Sequence, residues 1–317
     1  MAYDSLYGAY QKSHYPLEYY SIVLEKYKGD EKRTKRLTEE LKYFNIEILP
    51  PKFRYSKSNY MPDKENNRIY KGVGSIKYLN EECSNGLYEL RDNEYNNFID
   101  LLFDIKDKVK YNTRQMEILI KLDYFSEFGK SEKLMKTYEL FEEIYGKKTL
   151  KVDKWEQYFI NKDNATVMGN RVTDKQISGI NVYNIMNNVF NNIPDEDISI
   201  KERCQTELDY LGYISYTDQS YNSLVCVVTE VKKTQYSIFV TLYQLNTGKS
   251  TTIKVDKRFY NNKPLEQYDT ICIGEIAEKE RKTKNENGKW IGTGEYYNIL
   301  MSYGKVILDD ELELDEY

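Results

Sequence analysis

One histidine, His14, stands in 317 residues, and that scarcity excludes the histidine-cluster metal sites used by many metal nucleases and phosphatases. Cysteine is nearly as sparse. Cys83, Cys204, Cys226 and Cys272 lie far apart and form no CxxC pair, which argues against a disulfide framework and a cysteine zinc site and for reduced core residues. No run approaches the roughly 18 to 20 apolar residues of a membrane span, and MAYDSLYGAY has no basic region followed by an apolar stretch. No membrane partner and a cytoplasmic location are therefore expected. Walker A and HExxH patterns are missing as well. Two-metal nucleotidyl transfer needs carboxylates clustered around two divalent cations, whereas the acids here fall in runs, Asp195-Glu196-Asp197, Asp309-Asp310 and Asp315-Glu316. Such runs read as solvated charge. No catalytic residue and no metal ligand is assigned.

With 40% hydrophobic residues, the chain has enough apolar material for a core and enough length for two or three modules. Its net charge of −5 counts against a nucleic-acid partner, but the charge is uneven. Residues 309–317, DDELELDEY, hold six acids, while from Val225 to Lys305 thirteen basic residues face nine acidic ones. A block of that kind reads as an interaction tail. The 32 tyrosines reflect coding bias and carry no functional weight by themselves.

Apolar spacing in residues 2–28 predicts two helices that meet at His14-Tyr15-Pro16. Leu37, Leu41 and Phe44 suggest a third, and Ile46–Leu49 a short strand stopped by Pro50 and Pro51. Residues 52–68 read as loop. Residues 69–145 read as helical, with Asn112 and Gln115 in capping-box spacing and Gly129 ending that helix. The Asn-, Lys- and Asp-rich stretch 146–197 reads as a connector with little core, followed by a helix through Ile200, Cys204, Leu208 and Leu211 that stops at Gly212. Beyond Tyr221 the period becomes that of strands. Five are expected, at Leu224–Val231, Tyr236–Leu242, Thr251–Val255, Thr270–Ala277 and Tyr296–Met301, with a short helix around Arg258–Asn262 between the third and fourth. That is the order of an OB-fold barrel. The fold class is thus α+β multidomain: an N-terminal all-helical part, then a C-terminal five-stranded OB-fold. The expected segments are 1–60, 61–145, a connector 146–215 with helix 200–211, the barrel 216–305 and an acidic tail 306–317.

Several stretches resemble the C-terminal part of bacterial DNA polymerase III α subunits, in family order. DSLYGAYQKSHYPLEYY (Asp4 to Tyr20) and FNIEILPPKF (Phe44 to Phe53) resemble the end of the fingers. IYKGVGSIKYL (Ile69 to Leu79) resembles the glycine turn ahead of the tandem helix-hairpin-helix, NTRQMEILIKLDYFSEFG (Asn112 to Gly129) the helix and turn that close that domain, and ELDYLGYIS (Glu207 to Ser215) the lead-in to the OB-fold. The chain departs from the family after SIK, where YLNEECSNG lacks a second double-glycine hairpin. The resemblance implies a DNA-binding portion that holds primer-template duplex and template single strand, with the remainder of the polymerase as partner. Mg²⁺ would belong to the family's palm, whose three metal-binding aspartates have no counterpart in this sequence, so no cofactor is expected here and the chain is not expected to be active alone. The family's clamp peptide is of the Gln-x-x-Leu-Phe type. The nearest match is TYELF at Thr137–Phe141, which leaves the sliding clamp open as a partner. Host, phage and mobile-element origins also stay open, as do a stand-alone OB-fold single-strand binder and a clamp or clamp-loader interaction protein.

Two groups of residues follow as candidate DNA contacts. For the duplex backbone they are Lys71, Gly72, Val73, Gly74 and Lys77, where glycines admit a phosphate to backbone N–H groups, with Arg114 on the polar side of its helix. For single strands they are Lys232, Lys233, Tyr236, Arg258, Arg281, Lys282, Lys284 and Trp290, cations interleaved with rings on which bases stack. Trp290, in GKWIGTG, is the expected stacking residue, while Phe239 is expected to point into the barrel.

Overall fold

Pro16 sets the first joint. It opens α2 (Pro16–Lys26), where its missing N–H removes nothing a first turn needs, and α1 (Ala2–His14) ends just before it. The computed structural model describes residues 2–284 and 289–308, and its contacts divide the chain into two units, Met1–Ile198 and Ser199–Tyr317.

In the first unit, α3 (Glu31–Leu41) is capped by Asp30. Leu17, Tyr20 and Leu24 of α2 pack with Leu41, Ile46, Tyr60 and Ile69. The strands β1 (Glu47–Leu49), β2 (Met61–Asp63) and β3 (Arg68–Tyr70) form a small sheet in the order β1-β3-β2, parallel between β1 and β3. The stretch 52–68, expected as loop, thus contains a strand. Four helices follow: α4 (Glu81–Glu89), α5 (Phe98–Lys108), α6 (Thr113–Lys121) and α7 (Ser131–Ile144). Asn80, Asn97 and Asn112 cap the first three, and Asn112 with Gln115 makes the expected capping box. However, α6 stops at Lys121, eight residues before Gly129, and the intervening chain turns toward α7. Phe53 is buried against Tyr95, Tyr124, Phe125 and Phe128, with ring centroids 5.8–6.3 Å apart, the spacing of tilted aromatic contacts.

The segment 146–197 is not the core-poor connector its composition suggested. It forms β4 (Thr149–Lys151), β5 (Gly169–Val172) and β6 (Gln176–Ile180), an antiparallel sheet in the order β4-β6-β5, and α8 (Val182–Asn192). Leu150, Tyr158, Ile177, Ile185, Met186 and Val189 are buried. The asparagines misled because here their side chains satisfy irregular backbone. Asn188 Nδ2 donates to the carbonyls of Tyr158 and Phe159 at 2.9 Å, Asn184 Nδ2 donates to Val167 at 2.9 Å, and Asn181 caps α8.

In the second unit, α9 (Ile200–Leu211) begins at an N-cap Ser199 and ends at Gly212, whose φ of 81° favours a residue without Cβ. The division of the chain therefore falls inside the expected connector 146–215, with α9 on the side of the sheet. Glu207 of α9 is buried and accepts hydrogen bonds from Ser215 N (2.5 Å), Ser215 Oγ (2.9 Å) and Tyr216 N (3.0 Å), which tie the lead-in chain to the helix. Burial holds its carboxyl above the usual carboxylate range despite these donors.

The sheet that follows has seven strands, not five: β7 (Val225–Lys233), β8 (Ile238–Gln244), β9 (Ser250–Val255), β10 (Thr270–Ile273), β11 (Ile276–Lys284), β12 (Trp290–Leu300) and β13 (Tyr303–Lys305), with α10 (Lys257–Asn262) between β9 and β10. Their order is β11-β12-β9-β8-β7-β10-β13. The two extra strands arise because the fourth expected strand is broken at Gly274-Glu275, with β11 running on past its expected end, and because β13 follows the fifth after a break at Met301-Ser302; there Gly274 N donates to Ser302 O (3.1 Å) and Met301 N to Glu275 O (2.8 Å). β11 continues β10 and β12 runs on into β13, so the sheet curls back on itself. Its concave side is filled by Val228, Val240, Leu242, Val255, Ile271 and Leu300.

Candidate nucleic-acid interface

The glycine turn of the first unit is closed to phosphate at the atoms first assigned to it. Val73 N donates to Lys57 O at 2.8 Å and Gly74 N to Ser58 O at 2.9 Å, so these N–H groups belong to the neighbouring chain. The glycines are there for that close approach. A Cβ on Gly72 would lie 2.4 Å from Ser58 O, and one on Gly74 2.6 Å from Ser58 Oγ. Val73 is fully buried and Lys71 is only 4% exposed, so neither presents its side chain at the surface. The GVG turn is a packing device.

Four residues on, the picture differs. Lys77 and Tyr78 are exposed in a turn, and Tyr78 takes φ 71° without being glycine. Two contacts from α6 hold it there: Gln115 Nε2 donates to Tyr78 O at 3.1 Å, and the Arg114 guanidinium covers the ring 3.6 Å from its centroid. The chain thus turns after SIK although the double glycine is absent, and it brings Lys77 and Arg114 to one exposed place flanking one ring.

The N-terminus of α7 is engaged from within. Asp195 Oδ1 accepts from Lys130 N at 2.9 Å, Asp197 Oδ1 accepts from Ser131 Oγ at 3.0 Å and Ser131 N at 3.3 Å, and Glu196 O accepts from Glu132 N and Lys133 N. Asp195-Glu196-Asp197 is therefore a cap and not a solvated charge run; carboxylates are stabilised where free helix N–H groups concentrate positive potential. Thr137, Tyr138 and Phe141 are buried in α7, so TYELF is not offered as a peptide. Among the described residues no group of three or more His, Cys, Asp or Glu is placed to hold a metal ion.

In the second unit a groove of about 1140 Å³ runs along the convex face of β8 and β9 and under the β11–β12 hairpin. Strand alternation builds it. Ile238, Val240 and Leu242 point into the core, so Phe239 and Thr241 face outward, contrary to the inward orientation expected of Phe239. Cross-strand register places Lys232 beside Phe239, Phe239 beside Lys254, and Lys254 beside Ile299, a row across β7, β8, β9 and β12. The Lys254 ammonium lies 5.1 Å from the centroid of Tyr297, which lines the same groove. From the hairpin come Lys279, Arg281 and Lys282, with Glu280 the one carboxylate in the lining. Arg281 pairs with Glu295 at 3.3 Å, with both side chains largely exposed.

Of the single-strand candidates, Arg281 and Lys282 line this groove and Lys232 borders it. Lys233 instead sits over the ring of Tyr260, 5.2 Å from its centroid, Arg258 is exposed on α10, and Tyr236 is 80% exposed in the β7–β8 turn. Trp290, the expected stacking residue, stands apart from the groove. It is the first residue of β12, 64% exposed and outside the lining. Lys284 closes β11, and its side chain, like residues 309–317 of the acidic tail, lies outside the described residues. Sequence reading missed Lys254, Lys279 and Tyr297. The available signal was the alternation Thr252–Ile253–Lys254, which marks Lys254 as outward once β9 is set against β8.

Comparison with known proteins bears on the first unit. Residues 45–135 match the helix-hairpin-helix motif family. A stretch of 125 residues, 39% of the chain, is 33% identical to DNA polymerase III subunit alpha of Staphylococcus aureus (strain MRSA252) and 32% identical to that of Staphylococcus epidermidis (strain RP62A). The match spans 12% of each relative's length. Through this N-terminal stretch, which contains a helix-hairpin-helix motif, the chain is related to the α subunit of DNA polymerase III.

Proposed function

We propose that this chain is a DNA-handling portion of a replicative polymerase, in which the helical unit meets primer-template duplex and the curled sheet, an OB-type module, holds the single-stranded template. The observation that carries the reading is the row Lys232, Phe239, Lys254, joined by Tyr297 and the hairpin cations Lys279, Arg281 and Lys282. Aromatic faces for bases beside cations for phosphates are what sequence-tolerant single-strand binding requires, and the face of the second and third strands with the last hairpin is where OB-folds bind oligonucleotides. Lys77 and Arg114 beside Tyr78 support backbone contact in the helical unit, and the relatives' name supports a role beside the remainder of a polymerase. In that reading Mg²⁺ is held by the catalytic part and not by this one.

The test is fluorescence anisotropy of a labelled oligo-dT and of a primed duplex against the parent and against Lys254→Ala with Lys282→Ala. Single-strand binding by the parent, with a salt slope about 1.4 units flatter in the double variant, is expected, since each phosphate contact on single strands contributes about 0.7. Absence of oligonucleotide binding by the parent, or an unchanged double variant, would assign the groove to a protein partner instead.

A further inference from the structure

The groove carries four cations and one carboxylate in its lining. Among the described residues no ion pair engages Lys254, Lys279 or Lys282. The same unit ends in 309–317, DDELELDEY, six acids in nine residues with leucines between them. This segment lies outside the described residues, but its starting point is fixed. Leu308 is buried with Val225, Val227 and Tyr243, and Tyr221 Oη donates to Leu308 O at 3.0 Å. Nine residues in extended form reach about 30 Å, and a domain of some 120 residues has a radius of gyration near 14 Å, so the segment can span one face of its own unit. A segment of this composition offers the groove what a polynucleotide offers: closely spaced anionic groups, with leucines as apolar partners for Phe239 and Tyr297.

We propose that the acidic segment 309–317 occupies the cationic groove of its own unit when no polynucleotide is bound, and that polynucleotide must displace it. The inference rests on the groove being a single-strand site, as proposed above, for its consequence but not for the contact itself. Tethering makes the contact intramolecular, so that a weak ionic interaction is populated without a high concentration of partner. The device raises selectivity. Short or sparsely charged anions do not outcompete a tethered polyanion, whereas a polynucleotide that covers several cations at once does.

The experiment uses the full chain and a variant in which Asp309, Asp310 and Asp315 become Asn and Glu311, Glu313 and Glu316 become Gln. Without nucleic acid, lysine acetylation is followed residue by residue by mass spectrometry. In low salt, about 0.01 M, neutralising the tail should raise labelling of Lys254, Lys279 and Lys282 about three-fold, with Lys249 and Lys263 unchanged and the difference gone near 1 M, where charges are screened beyond about 3 Å. Unchanged labelling of the groove lysines, or an equal rise at Lys249 and Lys263, overturns the proposal. A second arm titrates oligo-dT. Groove deprotection with about five-fold tighter binding supports both the tail contact and the single-strand reading. Groove deprotection with no oligonucleotide binding by either protein keeps the tail contact and sinks the single-strand reading, whereas oligonucleotide binding without deprotection does the reverse.

Discussion

The guanidinium of Arg114 lies over the ring of Tyr78, 3.6 Å from its centroid, while the backbone of Tyr78 sits at φ 71°. The left-handed conformation costs a non-glycine residue about 1 kcal/mol or more, and the stack with the Gln115–Tyr78 hydrogen bond offsets it. Tyr78→Gly removes the conformational cost together with a stack worth about 0.5–1 kcal/mol, so its stability should stay within about 1 kcal/mol of the parent. Tyr78→Val loses the stack and forces a β-branched residue into that region, and should lose about 2 kcal/mol. Urea denaturation of the two variants measures the difference, and equal losses would mean that the turn relaxes.

Gly72→Ala should be among the most damaging single changes in the first unit. The added Cβ would meet the Ser58 carbonyl at 2.4 Å, an atom in backbone that also accepts the Gly74 N–H. Separating the two chains costs that hydrogen bond and the packing around it, about 3 kcal/mol or more. Gly8 is the control. It lies inside α1 with nothing within 4 Å of a built Cβ, so Gly8→Ala should be neutral or stabilise by about 0.5–1 kcal/mol. Circular dichroism melts of both variants make the comparison.

Asp197→Ala removes the carboxylate that accepts from Ser131 N and Oγ at the start of α7. Loss of a capping carboxylate costs about 1 kcal/mol, and the effect should be local. Hydrogen exchange at residues 130–133 should speed up while that of α5 is unchanged. Equal acceleration in both helices would show that the loop holds the whole unit together.

Much of this architecture is legible from the chain alone, and the failures have a common cause. The joint at Pro16, the Asn112–Gln115 box and the Gly212 stop are local, each decided by residues within one turn. The errors concern what lies across space. Asn184 and Asn188 look like loop residues until the carbonyls of Val167, Tyr158 and Phe159 are placed beside them. Asp195 and Asp197 look solvated until α7 arrives 65 residues away in sequence. Gly72 and Gly74 look like a phosphate cradle until chain 57–58 fills it. In the sheet, five strand stretches and the short helix are readable from period and composition, whereas β13 and most of β11 are not, and the site depends on register, which no single strand reveals.

Glu207 gives the second unit a pH dependence of defined sign. Burial raises its folded-state pKa above that of the unfolded chain, so the folded state binds its proton more tightly. The stability this adds is fully present below the unfolded value of about 4.3 and is lost as pH rises through the folded value. Against Glu207→Gln, which does not titrate, the parent should therefore gain on acidification and lose toward neutrality. Thermal melts of both proteins from pH 4 to 7 read this out, and a difference that does not change with pH would mean that the three donors from Ser215 and Tyr216 fully offset the burial.

The sharpest test of the groove sets Tyr297 against Trp290. By composition Trp290 is the obvious stacking ring, yet it lies at the start of β12 outside the lining, whereas Tyr297 is in the groove with Lys254 over its face. Stacking a base on an aromatic ring contributes roughly 1 to 3 kcal/mol and is largely independent of salt. Tyr297→Ala and Phe239→Ala should each weaken oligo-dT binding by about five-fold or more with the salt slope unchanged, and Trp290→Ala should bind like the parent. Lys279→Ala should do the opposite to the ring variants, flattening the slope by about 0.7. The two classes separate in anisotropy titrations at several salt concentrations. If Trp290→Ala weakens binding while Tyr297→Ala does not, the strand lies along the open end of the β11–β12 hairpin, and the face of β8 and β9 is not the binding surface.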